Sequence, residues 1–146
     1  MRGYLLDTNL LIALFWPSHK RHDVAVKWFT LHRARGWATC PVTQAGFVRV
    51  ASNPAFSRDA VQPREAIQVL SANTVAEDHT FWPDGLPVAE AAAFAGVRLM
   101  GHQQVIDAYL LGLAFRRGGV LATLDQHILA LTEPKSSERK ALVTVS

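Results

Sequence analysis

Three aspartates interrupt or close apolar runs of the chain. Asp7 follows Tyr4-Leu5-Leu6, Asp107 lies within Val105-Ile106-Asp107-Ala108-Tyr109-Leu110-Leu111, and Asp125 ends Val120-Leu121-Ala122-Thr123-Leu124. Such runs belong in a core, where a lone carboxylate is costly unless it is paired or bound to a cation. None of the three has a Lys or Arg beside it in sequence, which makes them candidate ligands for a divalent metal. Clustered carboxylates repel one another, and a hard cation such as Mg²⁺ or Mn²⁺ is their natural neutraliser. With no GxxxxGK[ST] loop to cradle a nucleotide, the chemistry suggested is phosphodiester hydrolysis on a basic protein. His19 and His22 form an HxxH pair in a polar loop after Pro17, read here as surface histidines. Cys40, beside Pro41, reads as a buried strand end rather than a nucleophile.

These residues must be positioned by strands and helices. Residues 2–6 read as a buried strand ending at Asp7. Asn9 is expected to cap a short helix over Leu10–Phe15, which Pro17 helps to end. Val24, Trp28 and Leu31 recur at helical spacing from His22 to about Arg35, with Gly36 as the stop. Trp37–Cys40 reads as a second strand, and Thr43 as the N-cap of a helix to about Ala51 with Gln44, Phe47 and Val48 on one face. Further helices are expected over Pro63–Asn73 and Pro87–Ala95, with Thr80–Trp82 as a strand between them. Gln103–Arg117 is the clearest helix and puts Asp107 in its first or second turn, near the positive end of the dipole. Val120–Leu124 is a strand, Gln126–Leu131 a short helix and Leu142–Val145 a last strand. Strands alternating with helices predict a parallel α/β sheet covered on both faces, with Asp7 and Asp125 on its carboxyl rim.

The 146 residues suit one domain, and 49% hydrophobic with 18% charged residues describes a packed rather than disordered chain. One cysteine excludes an internal disulfide and a multi-Cys zinc cluster. With neither a signal peptide nor an apolar run of spanning length, the expected location is the cytoplasm, away from the membrane. A net charge of +3 and a pI near 9.4 allow a polyanionic partner.

The segments Leu5-Leu6-Asp7-Thr8-Asn9, Cys40-Pro41-Val42-Thr43-Gln44-Ala45-Gly46-Phe47-Val48-Arg49-Val50, Asp107-Ala108-Tyr109-Leu110-Leu111 and Leu121-Ala122-Thr123-Leu124-Asp125 occur in this order. In that order they resemble the four acidic motifs of the PIN-domain family, and within it the VapC-type toxins of prokaryotic toxin–antitoxin pairs. Phe81-Trp82-Pro83-Asp84, between the second and third, resembles the family as well. The resemblance implies a single three-layer α/β/α domain over residues 1–146 with a mainly parallel sheet. It also implies a Mg²⁺- or Mn²⁺-dependent endoribonuclease acting on transfer or ribosomal RNA, a homodimer, and a VapB-like antitoxin whose C-terminal segment enters the acidic cleft. Asp7, Asp107 and Asp125 would then ligate the metal, with Thr8, Asn9 and Thr123 as hydrogen-bonding residues around it. The departure is Gln44, where many members carry Glu. An amide oxygen still ligates a hard cation or positions a water, but it brings no charge and no base. Gln44 is therefore expected to take part in catalysis while weakening metal binding, above all of a second ion.

Other residues carry less weight. Arg49 and His102 are candidates for phosphate contact, and Trp16 and Lys20, in a basic loop beside an aromatic, are candidates for RNA binding. Arg116 and Arg117, in a last helical turn, are accounted for by the helix dipole. Two rival functions follow from the same residues. One is a catalytically weak module that only binds RNA or antitoxin, which Gln44 leaves open. The other is a haloacid-dehalogenase-like phosphatase, disfavoured because Asn9 stands where that chemistry needs a second Asp.

Overall fold

Strands and helices alternate along residues 2–146, the residues that the computed structural model describes. In chain order they are β1 (Tyr4–Leu6), α1 (Thr8–Phe15), α2 (His22–His32), β2 (Trp37–Thr39), α3 (Pro41–Ala51), α4 (Pro63–Thr74) and β3 (His79–Phe81). There follow α5 (Val88–Ala91), α6 (Val105–Arg116), β4 (Val120–Thr123), α7 (Ser137–Lys140) and β5 (Leu142–Thr144). The five strands form one sheet in the order β3-β2-β1-β4-β5, and every pairing is parallel.

Alternate strand residues serve opposite faces, as the period of two in a strand requires. Leu5, Ala38 and Leu121 pack with α5 and α6, whereas Tyr4, Leu6, Trp37 and Ala122 pack with α1 to α4. Two apolar layers around one sheet make the α/β/α architecture expected from the sequence. Leu5, Leu6, Leu110, Leu111 and Leu121 are fully buried, and truncating one such Leu to Ala costs about 2–5 kcal/mol.

Two helix starts differ from the expectation. Asn9 does not cap α1. Asp7 does, in an extended conformation, with its side chain accepting the Thr8 N–H. The reason is the sheet: the Asp7 N–H is still tied to the Ala122 carbonyl at 2.9 Å, so the backbone can turn helical only from Thr8. Thr43 does not cap α3 either. Pro41 occupies the first helical position, Cys40 is the cap, and Thr43 reaches back to accept the Cys40 N–H at 3.0 Å.

Three expected helices are shorter or tighter. The helix expected to about Arg35 becomes a 3₁₀ turn over Arg33–Arg35. Pro87–Ala95 keeps only the four α-helical residues of α5 before a 3₁₀ stretch, Ala93–Arg98, kinked at Gly96. Gln126–Leu131 is also 3₁₀, and α7 is an element the sequence reading did not contain.

Gly112 sets the spacing between α5 and α6. A Cβ there would lie 1.9 Å from the Ala91 carbonyl oxygen, so the two helices can touch only through a glycine.

Candidate functional site

The strand order contains a switch point. The chain runs from β1 outward to β2 and β3, then returns to place β4 on the other side of β1. At such a point the connections leave in opposite directions and open a crevice beyond the carboxyl ends of the strands. Asp7 leaves the end of β1, and Asp125 lies two residues past the end of β4.

Asp7 is 6% exposed and tightly held. Its Oδ1 accepts the Thr8 N–H at 2.7 Å, and its Oδ2 accepts the Thr123 hydroxyl at 2.8 Å and the Asn9 amide at 3.4 Å. The Asn9 Nδ2 also donates to Thr123 Oγ1 at 3.0 Å, and its Oδ1 accepts the Leu124 N–H at 3.0 Å. Asn9 thus clips the start of α1 to the end of β4. Thr123, fully buried, accepts the Asp125 N–H at 3.1 Å. Asp125 caps the 3₁₀ turn after it through the His127 N–H and meets the His127 ring at 3.0 Å. Asp125 therefore also serves as the N-cap of the Gln126–Leu131 turn.

Asp107 enters from the first turn of α6. Among the described residues nothing donates a hydrogen bond to its carboxylate. Its carboxyl is pushed up to about 6, first by burial and then by the charges of Asp7 and Asp125. Asp7 is also raised, chiefly by burial, with its bonds to Thr123 and Thr8 pulling the other way and Asp125 adding repulsion. The three carboxylates therefore sense one another electrostatically. As they lie, no three carboxylate, imidazole or thiol groups among the described residues form a finished metal cage. A half-buried, donor-less carboxylate repelled by two others is nonetheless a donor set of the right chemistry for a hard cation, whose charge would offset that repulsion.

Two cavities flank Asp7 and Thr8. One, of about 380 Å³, is walled by Asn9, Asp107, Val50, His19 and Phe56. The other, of about 390 Å³, is walled by Val42, Ala45, Gly46, Arg49 and Ile106. The second presents one face of α3, at positions spaced three, one and three apart. Gly46 lets that face come close, since a Cβ there would meet Thr8 Oγ1 at 2.5 Å.

Gln44 is not brought to this face. Its Nε2 donates to Thr39 Oγ1 at 2.9 Å, and Thr39 Oγ1 meets His79 Nε2 at 2.8 Å. Arg49 does line the cavity that reaches Asp7. Trp16 and Lys20 line a third hollow shared with His19 and Phe56, while His102 is exposed in a 3₁₀ turn leading into α6. Of the HxxH pair, His22 donates Nδ1–H to the Ala13 carbonyl at 2.7 Å and His19 Nδ1 accepts the Arg21 N–H at 3.0 Å. Cys40 is fully buried, and burial pushes its thiol up, away from nucleophile chemistry. Arg116 faces Glu90 at 3.8 Å, and Arg117 donates to the Pro83 carbonyl at 3.0 Å.

Phe56 and His19 are the cavity residues that sequence reasoning missed as site residues. For Phe56 the signal was an aromatic in the polar loop after Asn53-Pro54, and for His19 it was the HxxH pair after Pro17.

A family model described as PIN domain matches residues 4–133, the stretch that holds the whole acidic crevice. The chain belongs to the PIN-domain family. This PIN domain is 45% identical over 121 residues to Ribonuclease VapC39 of Mycobacterium tuberculosis, covering 83% of this chain and 87% of the relative. It is 39% identical over 141 residues to Ribonuclease VapC38 of the same organism, covering 97% and 98%. Ribonuclease VapC44, also from Mycobacterium tuberculosis, is 38% identical over 141 residues, with the same coverage.

Proposed function

We propose that the protein is an endoribonuclease of the VapC kind, the toxin of a type II toxin–antitoxin pair, which hydrolyses RNA at the crevice between β1 and β4. The observation that carries this is a cavity at the switch point walled by both Asp7 and Asp107, where the charge of Asp125 is also felt and Asp107 is pushed up to about 6. The relatives named as ribonucleases at 38% to 45% identity support it.

In this reading Asp7, Asp107 and Asp125 hold Mg²⁺ or Mn²⁺. The bound ion would supply positive charge against the developing charge on the phosphate and make water a competent nucleophile at neutral pH. The remaining work belongs to the chain. Thr123 and the Thr8 N–H fix both Asp7 oxygens, and Asn9 locks Thr123 and the end of β4. Arg49 borders the crevice and receives a phosphate of the RNA by charge-assisted hydrogen bonds. Gln44 acts at one remove, by tying α3 to β2 through Thr39.

The partner is a cognate VapB-like antitoxin, and the substrate is transfer or ribosomal RNA. The protein pairs as a homodimer, for which the exposed apolar side chains Val97 and Met100 provide material. Among the described residues no helix is long and apolar enough to cross a membrane.

The test is incubation of total cellular RNA with purified, antitoxin-free protein in Mg²⁺ or Mn²⁺, in EDTA, and with the Asp7→Asn variant. Discrete fragments that disappear with chelator and with the variant are expected. Intact RNA after exposure to folded protein would refute the nuclease reading and leave a module that only binds RNA or antitoxin.

A further inference from the structure

The cavity that holds Asp7 and Asp107 continues past the carboxylates. Its far wall is His19 and Phe56, and the same two residues open a second hollow of about 280 Å³ walled by Trp16, Lys20 and Ser57. The walls come from two loops, one joining α1 to α2 and the other joining α3 to α4. The loops are tied across by Ser18 Oγ donating to Asp59 Oδ2 at 3.1 Å. Phe56 is itself held on a turn, with its N–H on the Asn53 carbonyl at 2.9 Å. It is nevertheless 43% exposed. Its ring lies nearly parallel to that of His19, with centroids 6.4 Å apart and 29° between planes. That separation is at the loose end of the range for aromatic pairs, so neither ring consumes the other's face.

The geometry points to a nucleobase subsite: Phe56 and His19 receive one unpaired base of the RNA beside the phosphodiester at Asp7 and Asp107, with Lys20 beyond them for a phosphate. The inference rests on the ribonuclease reading for the identity of the polymer. Continuity of the two cavities argues for the same occupant in both, because a strand laid over the carboxylates must carry its neighbouring nucleotide onto this wall. An exposed ring offers a π-face that any base can stack on. His19 adds a polar handle. Its Nδ1 already accepts the Arg21 N–H, so in the neutral ring the proton is on Nε2, a donor for an acceptor on a base edge. Ile12 and Val50 give the cavity its apolar side. A base inside a duplex is already stacked and cannot enter, so the subsite selects single-stranded or looped RNA.

The experiment titrates labelled short single-stranded RNA onto Asp7→Asn protein, with and without Phe56→Ala or Phe56→Tyr, and reads fluorescence anisotropy. A matched series carries one abasic nucleotide at successive positions. Loss of one stacked base predicts about tenfold weaker binding for Phe56→Ala and near-unchanged binding for Phe56→Tyr. One abasic position should weaken binding similarly when Phe56 is present and cost nothing further in Phe56→Ala. Equal affinity of Phe56→Ala and its parent for the intact RNA overturns the subsite. Equal RNA affinity together with weaker inhibition by the antitoxin also overturns it and assigns Phe56 to the protein partner. If the chain with Asp7 intact cleaves no RNA but the abasic pattern holds, the subsite stands and the nuclease reading falls.

Discussion

Replacing Asp107 by Asn should make the metal-free protein more stable at neutral pH, although it removes a proposed metal ligand. The Asp107 carboxyl has an ordinary value of 3.8 and is raised in the fold to about 6. The folded state therefore binds the proton more tightly than the unfolded chain. The stability that this contributes is complete below pH ~4 and is lost as pH rises through ~6. A shift of about two units corresponds to ~3 kcal/mol at most. Asp107 is only half-buried, and screening by solvent reduces that to about 1–2 kcal/mol. Asn has nearly the same shape and no charge, so Asp107→Asn should recover this amount at pH 8 and very little at pH 4. For a chain of this length that is roughly 3–6 °C in Tm. The assay is thermal denaturation followed by circular dichroism in EDTA at both pH values, for the parent and for Asp107→Asn. Added Mg²⁺ should then raise the Tm of the parent by more than that of the variant, since a ligand that binds only the folded state stabilises it. A variant no more stable than the parent at pH 8 would refute the claim that these carboxylates are held in mutual repulsion.

Three further outcomes follow from other contacts. Thr123→Val keeps the side-chain shape but removes the hydroxyl from Asp7 Oδ2 and from the Asp125 N–H. It should cost about 2–3 kcal/mol in urea denaturation at pH 7, and a loss below ~0.5 kcal/mol would show that the bond to Asp7 is not stabilising. Gly112→Ala gains about 1 kcal/mol of helix propensity but must part α6 from Ala91, and overpacking costs typically about 1–3 kcal/mol or more. A lower Tm with unchanged RNA cleavage per folded molecule is expected, and a higher Tm would contradict the close approach. Gln44→Glu should change Mg²⁺ affinity by less than about twofold in calorimetric titration, a difference under ~0.5 kcal/mol, because residue 44 is committed to Thr39. A tenfold gain would put the side chain among the carboxylates after all.

The features legible in the sequence were those written in local periodicity. Leu5 and Leu6 before Asp7, and Leu121 to Leu124 before Asp125, announce buried strands ending in acids whatever the rest of the chain does. Those strands, with α6 between them in sequence, place all three aspartates. Helix starts were less legible because several capping types crowd together. Asp7, Thr8 and Asn9 can all cap, and the choice was made by a sheet hydrogen bond from Asp7 to Ala122, a partner more than a hundred residues away. The role of Gln44 failed to show for a similar reason. Its place in a motif says nothing about which way the helix face turns, and that is fixed by Gly46 docking on Thr8. Phe56 and His19 sit in loops without periodicity, so only the meeting of two loops in space reveals the wall they share.

The pairing of β1 with β4 at the middle of the sheet has a consequence for how the crevice fails. Asp7 and Asp125 leave the inner strands, whereas β3 and β5 form the edges. Opening of an edge strand is a local event of low free energy, but opening of β1 or β4 exposes both apolar layers at once. Amide exchange at Asp7 and Leu124, bonded to the Ala122 carbonyl and to Asn9 Oδ1, should therefore proceed only by global unfolding and be as slow as in the core, while Thr80 and Phe81 exchange quickly. The strand ends that carry Asp7 and Asp125 therefore have no half-melted form. They remain in place until the whole domain unfolds, and frayed edges alone do not move these two carboxylates.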